Sequence, residues 1–330
     1  MPENVWKRSV RKMIPLHTFD KDGAGIGSDV AQFCTSPDNI FYVSESVMVP
    51  FCEQMGALGV YLASNAVAAH SDDIKAIMIS LFLDGRTGEQ FLQHVAKDAG
   101  NVSKKLNSPI AGFDVHILQG LKSPYLLSQA IAVKSNDDDT KLKDGDDIII
   151  TKWIAMSGTS MITGIKDMYD KLTERFLPKY IAGAYELKDY LSVIPEARIA
   201  REAGAKYIRA LSEAGIYRGL WEMSEQKKTG LTVDLKSIPI TQETVEVCNH
   251  FDVNPYILSS SGALLIVAEN GEALVEKMLD NNIPAAVIGK IKDSNDKLIV
   301  NEDEKRFLTL PEADDIYDCI KKHSGYICAE

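Results

Sequence analysis

Nowhere in these 330 residues is there an unbroken run of the roughly 18 apolar residues that a membrane helix needs. The five cysteines, Cys34, Cys52, Cys248, Cys319 and Cys328, are odd in number and never fall as C-x-x-C, so neither a closed disulfide framework nor a zinc ribbon is indicated. Reduced thiols are expected. Of the six histidines, His17, His70, His94, His116, His250 and His323, no two stand four apart, which removes the helical two-histidine metal pair. Positive charge is in deficit, with 36 Lys and Arg against 47 Asp and Glu and a net charge of −11. A phosphate backbone would be repelled, which speaks against a nucleic-acid partner. The opening MPENVWKRSVRKMIPL carries charges where a secretory signal needs an apolar core, so a cytoplasmic protein is expected. No internal repeat of solenoid length is visible.

What is present describes an ordinary globular chain: 45% hydrophobic and 25% charged residues. The length suits two domains of about 150 residues each. The run Lys134–Thr140 lacks apolar residues, and Lys143-Asp144-Gly145-Asp146-Asp147 follows it closely. The junction is placed there, giving domains 1–140 and 141–330. Before it, strands are predicted at Asn39–Ser44, Ile74–Leu83, Ile110–Leu118 and Leu126–Val133, and helices over Glu53–Ser71 and Glu89–Leu106. After it come a strand at Ile148–Thr151, a helical stretch from Ser157 to Phe176 and another from Tyr185 to Gly204. A strand ending near Leu211, a helix over Ile216–Lys228 and a strand over Leu231–Leu235 follow. Thr241-Gln242-Glu243-Thr244 has the pattern of a helix cap, and Ala263–Ala268, Ala285–Ile291 and Leu298–Val300 complete a sheet. The alternation is α/β or α+β.

Four landmarks carry a resemblance: Gly145-Asp146-Asp147-Ile148, the Trp221-Glu222 helix, Ser260-Ser261-Gly262-Ala263-Leu264-Leu265, and Ala285 to Ile291. Their order and spacing resemble the aminoimidazole ribonucleotide synthetase superfamily. That superfamily includes selenophosphate synthetase, thiamine-monophosphate kinase and the dehydratase that matures nickel-iron hydrogenase. The resemblance implies a two-domain fold with an N-terminal nucleotide domain, a homodimer, and ATP held with Mg²⁺. It also implies phosphoryl transfer to an oxygen of a small substrate or of a carboxamide, which a partner protein can bear.

The family's oxygen-rich motifs are only partly kept. Gly27-Ser28-Asp29-Val30-Ala31 matches Gly-Asp-Asp-Ala-Ala with Ser28 for one aspartate, Val43-Ser44-Glu45 matches Thr-Thr-Asp, and Asn65-Ala66 matches Asn-Asp with the acid gone. Ala111-Gly112-Phe113-Asp114 stands for Gly-Gly-x-Thr, and Arg209-Ala210-Leu211-Ser212-Glu213-Ala214-Gly215 has Ala210 where the family has its first acid. Mg²⁺ is a hard ion that wants carboxylate, water and phosphate oxygens. The implied metal set is thus Asp29, Glu45 and Asp114, with Gly25, Gly27, Asp29, Asn65 and Gly112 on the nucleotide. Asp114, Glu213 and Cys328 are the catalytic candidates. Cys328 is compared with the terminal cysteine of the hydrogenase-maturation branch, although the Pro-Arg of that tail is absent and two residues follow the thiol. Loss of acids at Ser28, Ala66 and Ala210 keeps a nucleotide-sensing or purely structural dimer open as an alternative.

Overall fold

Alternation of apolar and polar residues builds the first sheet. In β6 (Tyr125–Val133) every second side chain is buried, and in β4 (Ile74–Leu83) Ile77, Ile79, Leu81 and Leu83 lie on the covered face. The structure, a computed structural model, describes residues 30–36, 39–44, 46–133 and 140–325. Within these, β1 (Val30–Ser36), β2 (Asn39–Ser44), β3 (Val47–Pro50) and β5 (Ile110–Ile117) complete the sheet. Its order is β1-β2-β6-β4-β5, with β3 also pairing with β6. Two helices, α1 (Met55–Ala68) and α2 (Glu89–Leu106), belong to this half. They approach so closely that a Cβ on Gly56 would stand 2.2 Å from the Val95 carbonyl oxygen. The small-residue stripe of α1 is therefore a packing surface.

The second sheet has both faces covered. Its order is β13-β12-β9-β11-β7-β10-β8, from β7 (Asp147–Thr151), β8 (Tyr207–Ala210), β9 (Gly230–Asp234), β10 (Leu264–Ala268), β11 (Ala285–Lys292), β12 (Lys297–Asn301) and β13 (Glu304–Phe307). All residues of β7 and β10 are buried, which is why they read as continuous apolar runs. Ile148 and Ile150 enter one apolar cluster with Ile216, Leu220 and Met223 of α7 (Gly215–Lys227). Ile149 enters another with Ala197 and Ala200 of α6 (Ile194–Glu202) and Leu274 and Met278 of α9 (Gly271–Asp280).

A third cluster spans the sequence junction. Leu58, Ile79 and Leu126 of the first half share it with residues of α3 (Met156–Thr163), α4 (Lys166–Thr173), α5 (Pro178–Glu186), α8 (Gln242–Phe251) and α10 (Asp315–His323). The two halves are joined by core as well as by chain.

Two of the expected helical stretches are divided. The first breaks at Gly164, where an ideal Cβ would stand 2.0 Å from Gln54 Oε1, so the chain turns to let Gln54 in. The second breaks between the 3₁₀ turn Leu187–Tyr190 and α6, whose first turn holds Pro195 and so starts a new helix. The Thr241 cap forms as its sequence predicts, with its hydroxyl accepting from the Thr244 N–H. Helices α9 and α10 are not among the expected elements. No helix of the described residues is long and apolar enough to cross a membrane.

Candidate functional site

The motif residues are distributed unevenly over the described structure. Gly25, Gly27, Asp29, Glu45 and Cys328 lie outside the described residues. The described neighbours of Asp29 and Glu45, Val30 and Ser44, are register partners across β1 and β2. Ser44 is buried and its hydroxyl accepts from the Ala130 N–H at 2.9 Å, tying the end of β2 to β6.

Gly112 and Asp114 sit on β5, which runs parallel to β4 at the sheet edge with Asp114 beside Ser80. Asp114 is exposed. A Cβ on Gly112 would stand 2.5 Å from Met78 Cε, so this glycine gives the methionine room over the strand. Strands β6 and β4 separate β2 from β5, a distance of three strand spacings or about 14 Å. Asp114 is therefore not brought beside the end of β2 by the sheet of one chain. Among the described residues no group of three or more His, Cys, Asp and Glu is arranged to hold a metal ion.

Asn65 has a different setting. It is 1% exposed on α1, its Nδ2 donates to the Leu191 carbonyl at 2.6 Å and its Oδ1 accepts from the Val193 N–H at 3.1 Å. Both ends of the amide are spent on the other half of the chain. Ala210 is likewise buried, in the apolar cluster that also holds Ala68 and Ala69 at the end of α1. The position at which the family keeps an acid is here part of a dry contact between the halves.

Glu213 stands before the entry to α7, half-exposed, 3.6 Å from Arg218, and takes a hydrogen bond from Tyr317. Ala214 and Gly215 both have positive φ, 58° and 62°, and a Cβ on Gly215 would stand 2.6 Å from the Tyr256 carbonyl oxygen. Glycine is required there on two counts. The N–H of Ala214 is taken up by Asp314 Oδ2 at 2.8 Å, while Asp314 Oδ1 caps its own helix by accepting from Ile316 N at 2.9 Å. One carboxyl thus serves the starts of α7 and α10. Burial pushes its pKa up to about 7, against the opposing pull of these backbone N–H groups.

The motif glutamate Glu222 is buried and bridges Arg209 at 2.5 Å and Arg218 at 2.8 Å. Its charge is neutralised inside the protein, and its work is to fix α7 against β8. Asp146 and Asp147 of the Gly-Asp-Asp turn are also structural: Asp146 pairs with Lys206 at 2.7 Å, and Asp147 accepts from Gly271 N at 2.9 Å at the start of α9. Asp314 was missed by sequence reasoning, although an aspartate two residues before an apolar helical stripe is a recognisable cap signal.

These features define a two-sheet α/β protein whose C-terminal half holds several buried acid–base pairs. Residues 143–301, just under half of the chain, match the model described as AIR synthase related protein, C-terminal domain. A hydrogenase expression/formation protein, so named in Methanocaldococcus jannaschii, is 21% identical over 66% of this chain and 63% of its own length. The alignment thus spans just under two thirds of that relative.

Three solved structures share the fold over nearly the whole chain. A chain of the HypE–HypF complex has a TM-score of 0.68 at 15% identity, covering 94% of this chain and 99% of its own. AaThiL complexed with AMPPCP and TMP has a TM-score of 0.68 at 11% identity, covering 92% and 96%. The hydrogenase maturation protein HypE in complex with ATP has a TM-score of 0.61 at 14% identity, covering 89% and 92%.

Proposed function

We propose that this protein binds ATP on its N-terminal half and uses it, with Mg²⁺, for phosphoryl transfer to an oxygen of a small substrate or of a carboxamide borne by a partner protein. The observation that supports this most is the agreement of fold along the chain with proteins solved with ATP and with AMPPCP. Asp29 and Glu45 are the metal ligands in this reading, with Gly25 and Gly27 approaching the phosphates and Gly112 and Asp114 contributing from β5. These carboxylates would hold Mg²⁺, and the cation would neutralise the negative charge that builds on the transferred group.

Because β5 lies about 14 Å from β2, Asp114 joins Asp29 and Glu45 only if a second copy supplies it. A homodimer through the first sheet meets that need. The uncovered face of this sheet exposes Met48 and Met78, and its β5 edge exposes Val115, Ile117 and Leu118, to extents of 40–58%, apolar surface of the sort that association covers. Glu213 is the candidate acid or base of the second half, and Cys328 the candidate carrier if the substrate is a carboxamide on the chain itself.

A second reading, nucleotide binding without turnover, is favoured by Asn65 and Ala210. The first has both ends of its amide engaged by Leu191 and Val193, and the second is packed in an apolar contact. Titration of the full chain with ATP and Mg²⁺, followed by a phosphate-release assay, separates the two. Binding with release supports the enzyme, and binding without release supports the sensor. Absence of binding by ATP at millimolar concentration contradicts both.

A further inference from the structure

Four consecutive residues, from the last of the 3₁₀ turn to the one before α6, are held in alternation from two sides. The carbonyls of Tyr190 and Ser192 accept from Lys152 Nζ at 2.8 and 2.6 Å. The carbonyl of Leu191 and the N–H of Val193 are taken by the amide of Asn65. Lys152 follows β7 directly, in a left-handed conformation with φ 54° that turns its side chain inward, and that side chain is 7% exposed. Its third partner is the buried carboxylate of Glu196. Three acceptors call for three N–H donors, which only the charged ammonium has.

The arrangement is costly, which argues for a purpose. A buried ion pair gains little over apolar packing, and Glu196 leaves Oε2 with no hydrogen-bond partner. Leu191 and Val193 are fully buried, the first in the cluster shared by both halves and the second in the cluster under the second sheet. The segment therefore touches helix α1, the residue that follows β7 and two cores at once, and neither jaw contacts it at the other's positions.

We propose that Tyr190–Val193 is the conformational coupler of the molecule: a clasp with one jaw on α1 and one at the end of β7, through which displacement of either half is passed to the other. Asn65 and Lys152 are its positioning residues. The proposal does not depend on the identity of any ligand.

Hydrogen exchange read by mass spectrometry on the full chain tests it. Asn65→Ala is expected to speed exchange at least tenfold at Val193 and also at Lys152–Ile154, which Asn65 does not touch. Reciprocally, Lys152→Met combined with Glu196→Leu, chosen so that no lone charge stays buried, is expected to speed exchange at the C-terminal end of α1. Acceleration confined to residues 190–194 in the first variant, with the end of β7 unchanged, would overturn the proposal. Should the double variant not fold, native-state exchange of the unaltered protein against denaturant gives the answer. Val193 and the end of β7 opening with one common denaturant dependence supports a single clasp, and two different dependences contradict it.

Discussion

The two sheets of this chain solve the problem of burying a β-surface in opposite ways. The central strands of the second sheet, β7 and β10, have every residue buried, with alternate side chains serving different cores. The first sheet covers one face with helices and leaves the other open, and every residue of its edge strand β5 from Asp114 onward is exposed. A sheet closed on both faces has little left to offer a ligand or a second chain. An open face with exposed apolar residues is where binding and association are to be sought. The family model matches the closed half, residues 143–301, and the divergent motifs are concentrated in the open one.

The comparison breaks most easily at the closed half's buried charges. Lys152→Met leaves the buried Glu196 carboxyl without its ion-pair partner, and a loss of about 3–5 kcal/mol in unfolding free energy is expected by denaturant titration. Lys152→Met with Glu196→Leu should recover most of it. Truncating the sheet centre comes next: Ile149→Ala, at a fully buried position, should cost about 2–5 kcal/mol.

A smaller effect is expected from Asp314 as pH changes. Its pKa is raised from 3.8 to about 7 by burial, so the folded state holds the proton more tightly than the unfolded chain. The stability this contributes is complete below the unfolded value and is lost as pH rises through the folded one. Between about pH 5 and pH 8 the unfolding free energy should therefore fall by about 2–3 kcal/mol from this group. Asp314→Asn should remove that slope. An unchanged slope would show that the carboxyl does not titrate there.

The open half should respond differently to substitution. Ile117→Ser, at a position 58% exposed on β5, is expected to change unfolding free energy by about 0.5 kcal/mol or less. On the proposed pairing through the first sheet, the same change should shift the mass from dimer to monomer in light scattering. If it leaves the mass unchanged, the β5 edge is not the association surface. The smallest effect concerns the thiols: burial pushes Cys248 and Cys319 up to about 12, so neither should react with a disulfide reagent in the native protein.

Periodicity was sufficient for most of the sheets, because a strand's burial is written in its own residues. The continuous Ile148–Ile150 run and the alternation of Leu126–Val133 are legible for that reason. Breaks that depend on a distant partner are not: Gly164 ends its helix because Gln54, far away in sequence, needs the space. The caps Asn270 and Asp314 were readable signals for α9 and α10, yet no cap shows that Asp314 also serves Ala214 from a hundred residues away. At the candidate site, motif matching located Asn65 and Ala210 but not what their side chains do. An asparagine that ligates and one that clasps two backbone groups have the same letter, and only the fold shows that Leu191 and Val193 are its partners.

Isothermal titration of the full-length protein with Mg²⁺ and ATP tests the account at its centre. The expected result is saturable binding of one nucleotide per chain that depends on Mg²⁺ and is weakened at least tenfold by Asp114→Ala. No heat of binding at millimolar ATP would contradict it, as would a titration that Asp114→Ala leaves unaltered.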